Sequence, residues 1–216
     1  AVEDPDDWII ENSNVSDKVP GMVDYLYKRL QRRGYTERDV ARMVNQERNV
    51  FAALLVALDH GDAMISGLTR TFSQTAREVG RVLDPKPGAV PFGIHMMIGK
   101  NSTVFLADTT INERPSSEEL AHIAKETAAV ARRMGHEPRV AFLSYSTFGN
   151  PSGQWLDNIR DAVAILDAEE PGFEYEGEMA PDSALNPTVM KLYPFSRLSG
   201  PANVLIMPGL QSANLS

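Results

Sequence analysis

The spacing of apolar residues changes period along this chain, and the change divides it. In the first third they recur every three or four positions. Met22, Val23, Leu26, Tyr27 and Leu30 form one stripe with Gly34 as its stop, and Val40, Met43 and Val44 open a second. Thr36 with Asp39 three residues later predicts a capping box for that second helix. From Asn49 to Leu58 the pattern is apolar nearly all round, which predicts an interior helix ending at Gly61. Ala63–Ser66 reads as a short buried strand, followed after Gly67 by a helical run through Leu83. Pro85 and Pro87 close that run, and Lys86-Pro87-Gly88 is the expected boundary between a partial first domain (1–88) and a second (89–216). Residues 1–16 are acidic and irregular apart from Trp8-Ile9-Ile10, and read as a linker or cut edge.

Beyond the boundary the period shortens. Pro91–Ile98 and Thr103–Asp108 are β-like and joined by Gly99-Lys100-Asn101-Ser102, a hairpin with a four-residue loop. Ser116 with Glu119 caps an amphipathic helix whose face is Leu120, Ile123, Ala124, Thr127, Val130, Ala131 and Met134, with Gly135 as stop. There follow a strand Arg139–Ser146, a helix Ser152–Ala168 with Trp155, Ile159, Val163 and Leu166 inward, a strand Phe173–Met179, a short helix near Pro187–Leu192 and a strand Asn203–Pro208. Strands alternating with helices predict an α/β fold with a parallel core sheet and one antiparallel hairpin. Ligands of such sheets bind outside the carboxyl ends of the strands. The loops Thr147–Gly153 and Gly209–Asn214, small and polar, follow two such ends.

Composition narrows the chemistry. At 216 residues and 43% apolar the chain can bury a real core, and its net charge of −8 argues against nucleic acid or an anionic membrane surface as partner. The absence of cysteine excludes disulfides, thiolate catalysis and zinc–thiolate sites. The longest apolar run, Val50–Leu58, is too short to cross a bilayer, and no signal peptide opens the chain, so a cytoplasmic protein is expected. No dinucleotide, Walker, zincin, nucleophile-elbow or EF-hand motif occurs. His60 beside Asp59 and Asp62 reads as a solvated helix end, and none of the four histidines is assigned a catalytic or metal role.

What remains are hydroxyls and arginines at strand ends. Ser144, Ser146 and Thr147 precede Gly149, and Ser152 would begin the next helix, a natural phosphate seat. The alternative is a helix cap and ordinary strand filler. Ser66-Gly67 leads into Thr69–Arg77, with Arg70, Arg77 and Arg81 close behind; Arg77 and Arg81 share a helix face, as residues of a solvated surface also would. Asp108–Asn112 makes a third polar strand end. Three such ends fit an anionic, extended ligand.

Five motifs in order resemble the phosphate acetyltransferase family: Gly61–Gly67, Leu106–Asn112, Leu143–Thr147, Gly177–Met179, and Ala202–Pro208 with Asn214. Phe173–Met179, Tyr193–Pro201 and Ser212-Ala213-Asn214 further resemble the acetyltransferase-type domain fused to large bacterial NADP-dependent malic enzymes. The resemblance implies two α/β/α domains of the isocitrate/isopropylmalate dehydrogenase-like kind, coenzyme A held in a cleft, and a homodimer or higher oligomer. It implies acetyl-CoA as ligand, with NADP and a divalent metal belonging only to a malic-enzyme part outside this chain. On this basis Ser66, Thr71, Ser73, Thr75, Arg77 and Arg81 are expected near the ligand, together with Ser144, Ser146, Thr147 and Asn214. The family's serine–arginine pair and following aspartate have no counterpart here, so no catalytic residue is assigned. Three readings stay open: a regulatory acetyl-CoA-binding domain, a working phosphate acetyltransferase, and a structural dimerisation domain.

Overall fold

A computed structural model describes residues 9–100 and 102–215. Trp8 and the acidic Asp4–Asp7 lie outside the described residues, as does Asn101 of the hairpin loop. The chain forms two compact units that meet in sequence at Lys86/Pro87.

Among its described residues, the regular elements of the first unit are all helices. Helix α1 (Val19–Leu30) carries a proline in its first turn, where the missing N–H costs nothing, and buries Met22, Leu26 and Leu30. A 3-10 turn at Gln31–Arg33 follows, and Gly34 ends it at φ +87°, a left-handed conformation that suits glycine. Helix α2 (Glu37–Gln46) opens on the Thr36/Asp39 capping box, and α3 (Arg48–Ala57) and α4 (Phe72–Gly80) complete the set. Their apolar faces share one core built around Met22, Leu26, Leu30, Val40, Val44 and Leu54.

The expected strand Ala63–Ser66 does not form. A strand needs a neighbour to complete its ladder, and the described residues of this unit supply none. Met64 instead packs on the helical core, Ile65 is fully exposed, and the Ser66 hydroxyl donates to Asn49 Oδ1 at 2.7 Å.

The second unit holds a five-stranded sheet in the order β1 (Ile94–Ile98), β2 (Thr103–Ala107), β5 (Val204–Ile206), β3 (Arg139–Leu143), β4 (Glu174–Met179). β1 and β2 form the antiparallel hairpin, and every other pairing is parallel. Strand alternation sends Phe105, Val140, Phe142, Val204 and Ile206 to one face, where α5 (Ser117–Arg133) and α6 (Asp157–Glu169) cover them. Ala141, Leu143 and Leu205 point to the other face, toward α7 (Pro181–Leu185), α8 (Pro187–Met190) and the loop through Leu198. The Ser116/Glu119 capping box starts α5 as its sequence predicts.

Several boundaries differ from the sequence reading. β3 stops at Leu143 rather than Ser146, and its register with β4 shifts between Phe142 and Leu143. The helix expected from Ser152 begins only at Asp157, after a 3-10 turn at Gln154–Leu156. Trp155, expected inward, stands on that turn and is 72% exposed. The segment Gly209–Asn214, read as a loop, is mostly helix α9 (Leu210–Leu215).

At the register shift, glycine is required. A Cβ on Gly177 would lie 2.7 Å from Phe142 Cβ and 3.2 Å from its carbonyl oxygen, neither of which can swing aside. Gly177→Ala is therefore expected to cost about 1–3 kcal/mol of stability by overpacking, read as a lower urea midpoint at unchanged slope. A midpoint equal to that of the parent would place slack between β3 and β4.

Candidate functional site

The carboxyl ends of β3 and β5 open side by side into a cleft of about 750 Å³. Its floor is apolar and buried, made by Leu143, Ile159 and Met207. Its rim is polar, with Ser116, Ser144, Gln154, Asn158, Gln211 and Ser212. One wall is the loop Glu113–Ser116, tied to α6 by Asn158 Nδ2, which donates to Pro115 O at 2.7 Å. The turn at Pro208-Gly209 runs tight against that wall, since a Cβ on Gly209 would stand 2.6 Å from the Glu113 carbonyl oxygen. Arg114 is the single cation among the lining residues, and its guanidinium carbon lies 5.3 Å from the centre of the Trp155 ring.

Two buried carboxylates hold the loops around this cleft. Asp108, at the end of β2, is 2% exposed. Its Oδ1 accepts from the Gly93 and Thr110 N–H groups, both at 2.8 Å, and its Oδ2 from the Asn112 N–H at 2.7 Å and the Asn112 amide at 2.6 Å. The Ile111 N–H reaches both oxygens, at 3.2 and 3.3 Å. Burial pushes this carboxyl up, but the donors of Gly93, Thr110 and Asn112 outweigh it and hold it below the usual aspartate value.

Glu178, near the end of β4, is likewise 2% exposed. It accepts a forked pair from Arg160 Nε at 2.8 Å and Nη2 at 2.9 Å, the Gly149 N–H at 2.7 Å and the Ser146 hydroxyl at 3.1 Å. Burial again raises the carboxyl, and Arg160, Gly149 and Ser146 together bring it below the usual glutamate value. One side chain thus joins β4, the loop after β3 and α6.

The residues singled out from sequence take different places. Ser144 lines the cleft and accepts from the Ser146 N–H. Ser146 is fully buried and its hydroxyl is engaged by Glu178; Thr147 Oγ1 accepts from the Ala180 N–H and meets Ser183. Both brace the loop from beneath. Asn214 is exposed on α9, and its amide donates to the Leu210 carbonyl.

In the first unit, buried Asn49 gathers Ser66, Thr75 and Glu78. Thr71 caps α4, and Ser73 is exposed. Arg81 pairs with Glu47 at 2.8 Å, whereas Arg77 is exposed with no ion pair among the described residues. Arg114, Trp155 and Asn49 did not emerge from sequence as site-forming, and Asp108 emerged only as part of a polar strand end. An asparagine inside an otherwise apolar helix was the available signal for the last.

The described residues hold no group of three or more His, Asp or Glu side chains placed for a metal, and no helix long and apolar enough to cross a membrane.

Residues 4–216 match the family described as phosphate acetyl/butaryl transferase. The chain belongs to that family. It is 52% identical over 207 residues to an NADP-dependent malic enzyme of Rhizobium meliloti, a match that covers 96% of this chain and 27% of that protein. It is 33% identical over 198 residues to a phosphate acetyltransferase of Bacillus subtilis, covering 90% of this chain and 61% of that protein. A solved phosphotransacetylase from Streptococcus pyogenes superposes with a TM-score of 0.84 at 30% identity, over 97% of this chain and 64% of that one. The chain therefore spans about a quarter of the length of the malic enzyme it matches, as its phosphotransacetylase-like part.

Proposed function

We propose that this chain is an acetyl-CoA-binding regulatory domain of an NADP-dependent malic enzyme, itself without catalytic turnover. The observation that carries the reading is the cleft at the carboxyl ends of β3 and β5. It pairs a buried apolar floor of Leu143, Ile159 and Met207 with a polar rim bearing Arg114. Such a cleft suits a ligand that is apolar at one end and anionic at the other, with the acyl thioester toward the floor and phosphates toward the cation. Kinship with both malic enzymes and phosphate acetyltransferases supports the choice of acetyl-CoA. Regulation then requires only that acetyl-CoA bind two assembly states unequally. In this reading the domain assembles as a homodimer or higher oligomer in the cytoplasm, and NADP and a divalent metal serve the malic-enzyme part.

A further inference from the structure

The rim of the cleft carries an arrangement that its floor does not explain. Trp155 presents a large aromatic surface to solvent, at 72% exposure, on a 3-10 turn rather than within a core. The guanidinium over its ring comes from Arg114, on the opposite wall loop. Arg114 is itself exposed and has no carboxylate partner among the described residues. Tyr145, also on the cleft, leans against the residues that carry Trp155: a Cβ on Gly153 would lie 1.9 Å from the Tyr145 hydroxyl and would push that exposed side chain aside.

An indole face and a stacked guanidinium, both at the mouth of one cleft, are the two groups a purine nucleotide needs. Every base presents a π face that stacks on an aromatic ring. Arginine is weakly hydrated, so it covers an aromatic face when no ligand is bound, and its planar fork suits phosphate oxygens. We propose that Trp155 and Arg114 form a clamp for the nucleotide end of the ligand. The purine takes the indole face that the guanidinium now covers, and the displaced Arg114 pairs with a phosphate of the same nucleotide. The contact between Arg114 and Trp155 is solvent-exposed, so little is lost when the ligand exchanges it for two contacts of its own. The assignment rests on the reading of the cleft as an acetyl-CoA site and names the residues that recognise the adenine nucleotide.

The chain has two tryptophans, so a Trp8→Phe background leaves Trp155 as its sole indole. Adenosine 3′,5′-bisphosphate titrated into that protein should change its fluorescence saturably, and Arg114→Ala should weaken the binding roughly tenfold. By calorimetry, Trp155→Leu should lose roughly 10- to 100-fold in affinity for both the bisphosphate and acetyl-CoA. Its affinity for acetyl-pantetheine, which has no nucleotide, should not move. Trp155→Tyr should restore much of the loss. The clamp is overturned if the bisphosphate leaves the fluorescence unchanged, or if Trp155→Leu binds acetyl-CoA as tightly as the parent; the second result leaves the acetyl-CoA reading standing. Trp155-dependent binding of the bisphosphate without tighter binding of acetyl-CoA supports the clamp and removes the acetyl-CoA reading instead.

Discussion

Glu178→Ala is expected to lower the unfolding free energy by about 2–3 kcal/mol, the cost of orphaning the buried Ser146 hydroxyl and the partly buried Gly149 N–H. Arg160 is not the source of that cost, because its side chain is 43% exposed and regains water once the carboxylate is gone. The Ser146 hydroxyl has no such recourse at 0% exposure, and the Gly149 N–H loses a 2.7 Å bond in the same loop. The loop after β3, which contributes Ser144 and Tyr145 to the cleft, should loosen with it. Urea unfolding of the parent and variant checks the stability, and a difference below ~1 kcal/mol would mean that water or another side chain replaces the carboxylate. Arg160→Ala is expected to be destabilising as well, since it leaves a carboxylate only 2% exposed with no cation and just the Gly149 and Ser146 donors to hold its charge.

Asp108→Asn should be the second most damaging change, although it barely alters shape. Both carboxylate oxygens are saturated with donors, Oδ1 by Gly93 and Thr110 and Oδ2 by the Asn112 N–H and amide. Whichever oxygen becomes an NH₂ group then faces N–H groups with nothing to accept them. The expected loss is about 2–3 kcal/mol, the cost of buried donors left unsatisfied. Because this hub fixes the chain just before the Glu113–Ser116 wall, ligand binding should weaken in parallel.

Both carboxyls also set the response to acid. Each has a folded-state pKa below its ordinary value, so the folded state binds its proton less readily than the unfolded chain. The stability they supply is complete above the ordinary carboxylate range. It erodes as pH falls through that range, and is gone below the depressed folded values. Stability should therefore be level near neutrality and fall in acid, with a shallower fall in Asp108→Asn and Glu178→Gln. An acid profile identical in parent and variants would contradict this assignment.

The parts of the fold legible in the sequence were those set by local chemistry. The capping boxes at Thr36/Asp39 and Ser116/Glu119, the apolar stripes of α1, α2 and α5, and the runs that became β3 and β5 depend on residues close in sequence. The failures had long-range causes. Ala63–Ser66 has strand-like composition but no partner strand among the described residues. Trp155 falls on the helical period of Ile159 and Val163, yet the 3-10 turn before Asp157 breaks that period and delivers it to the rim. Asp108 was visible only as a polar strand end, because Gly93, one of its donors, lies fifteen residues away across the hairpin. Ser146 and Thr147 looked like ligand residues for the same reason: that their hydroxyls turn inward, to Glu178 and to Ala180 and Ser183, is decided by β4 and α7.

The proposed function requires that the domain bind acetyl-CoA without turning it over. Calorimetric titration of acetyl-CoA into this chain, in phosphate and in phosphate-free buffer, tests it most directly. Binding without turnover should give heat that saturates at a fixed stoichiometry and is the same in both buffers. Heat that continues in phosphate and stops without it would identify a working acetyltransferase, and no heat in either buffer would leave a structural domain with a vestigial cleft; either result rules out an acetyl-CoA-binding domain without turnover.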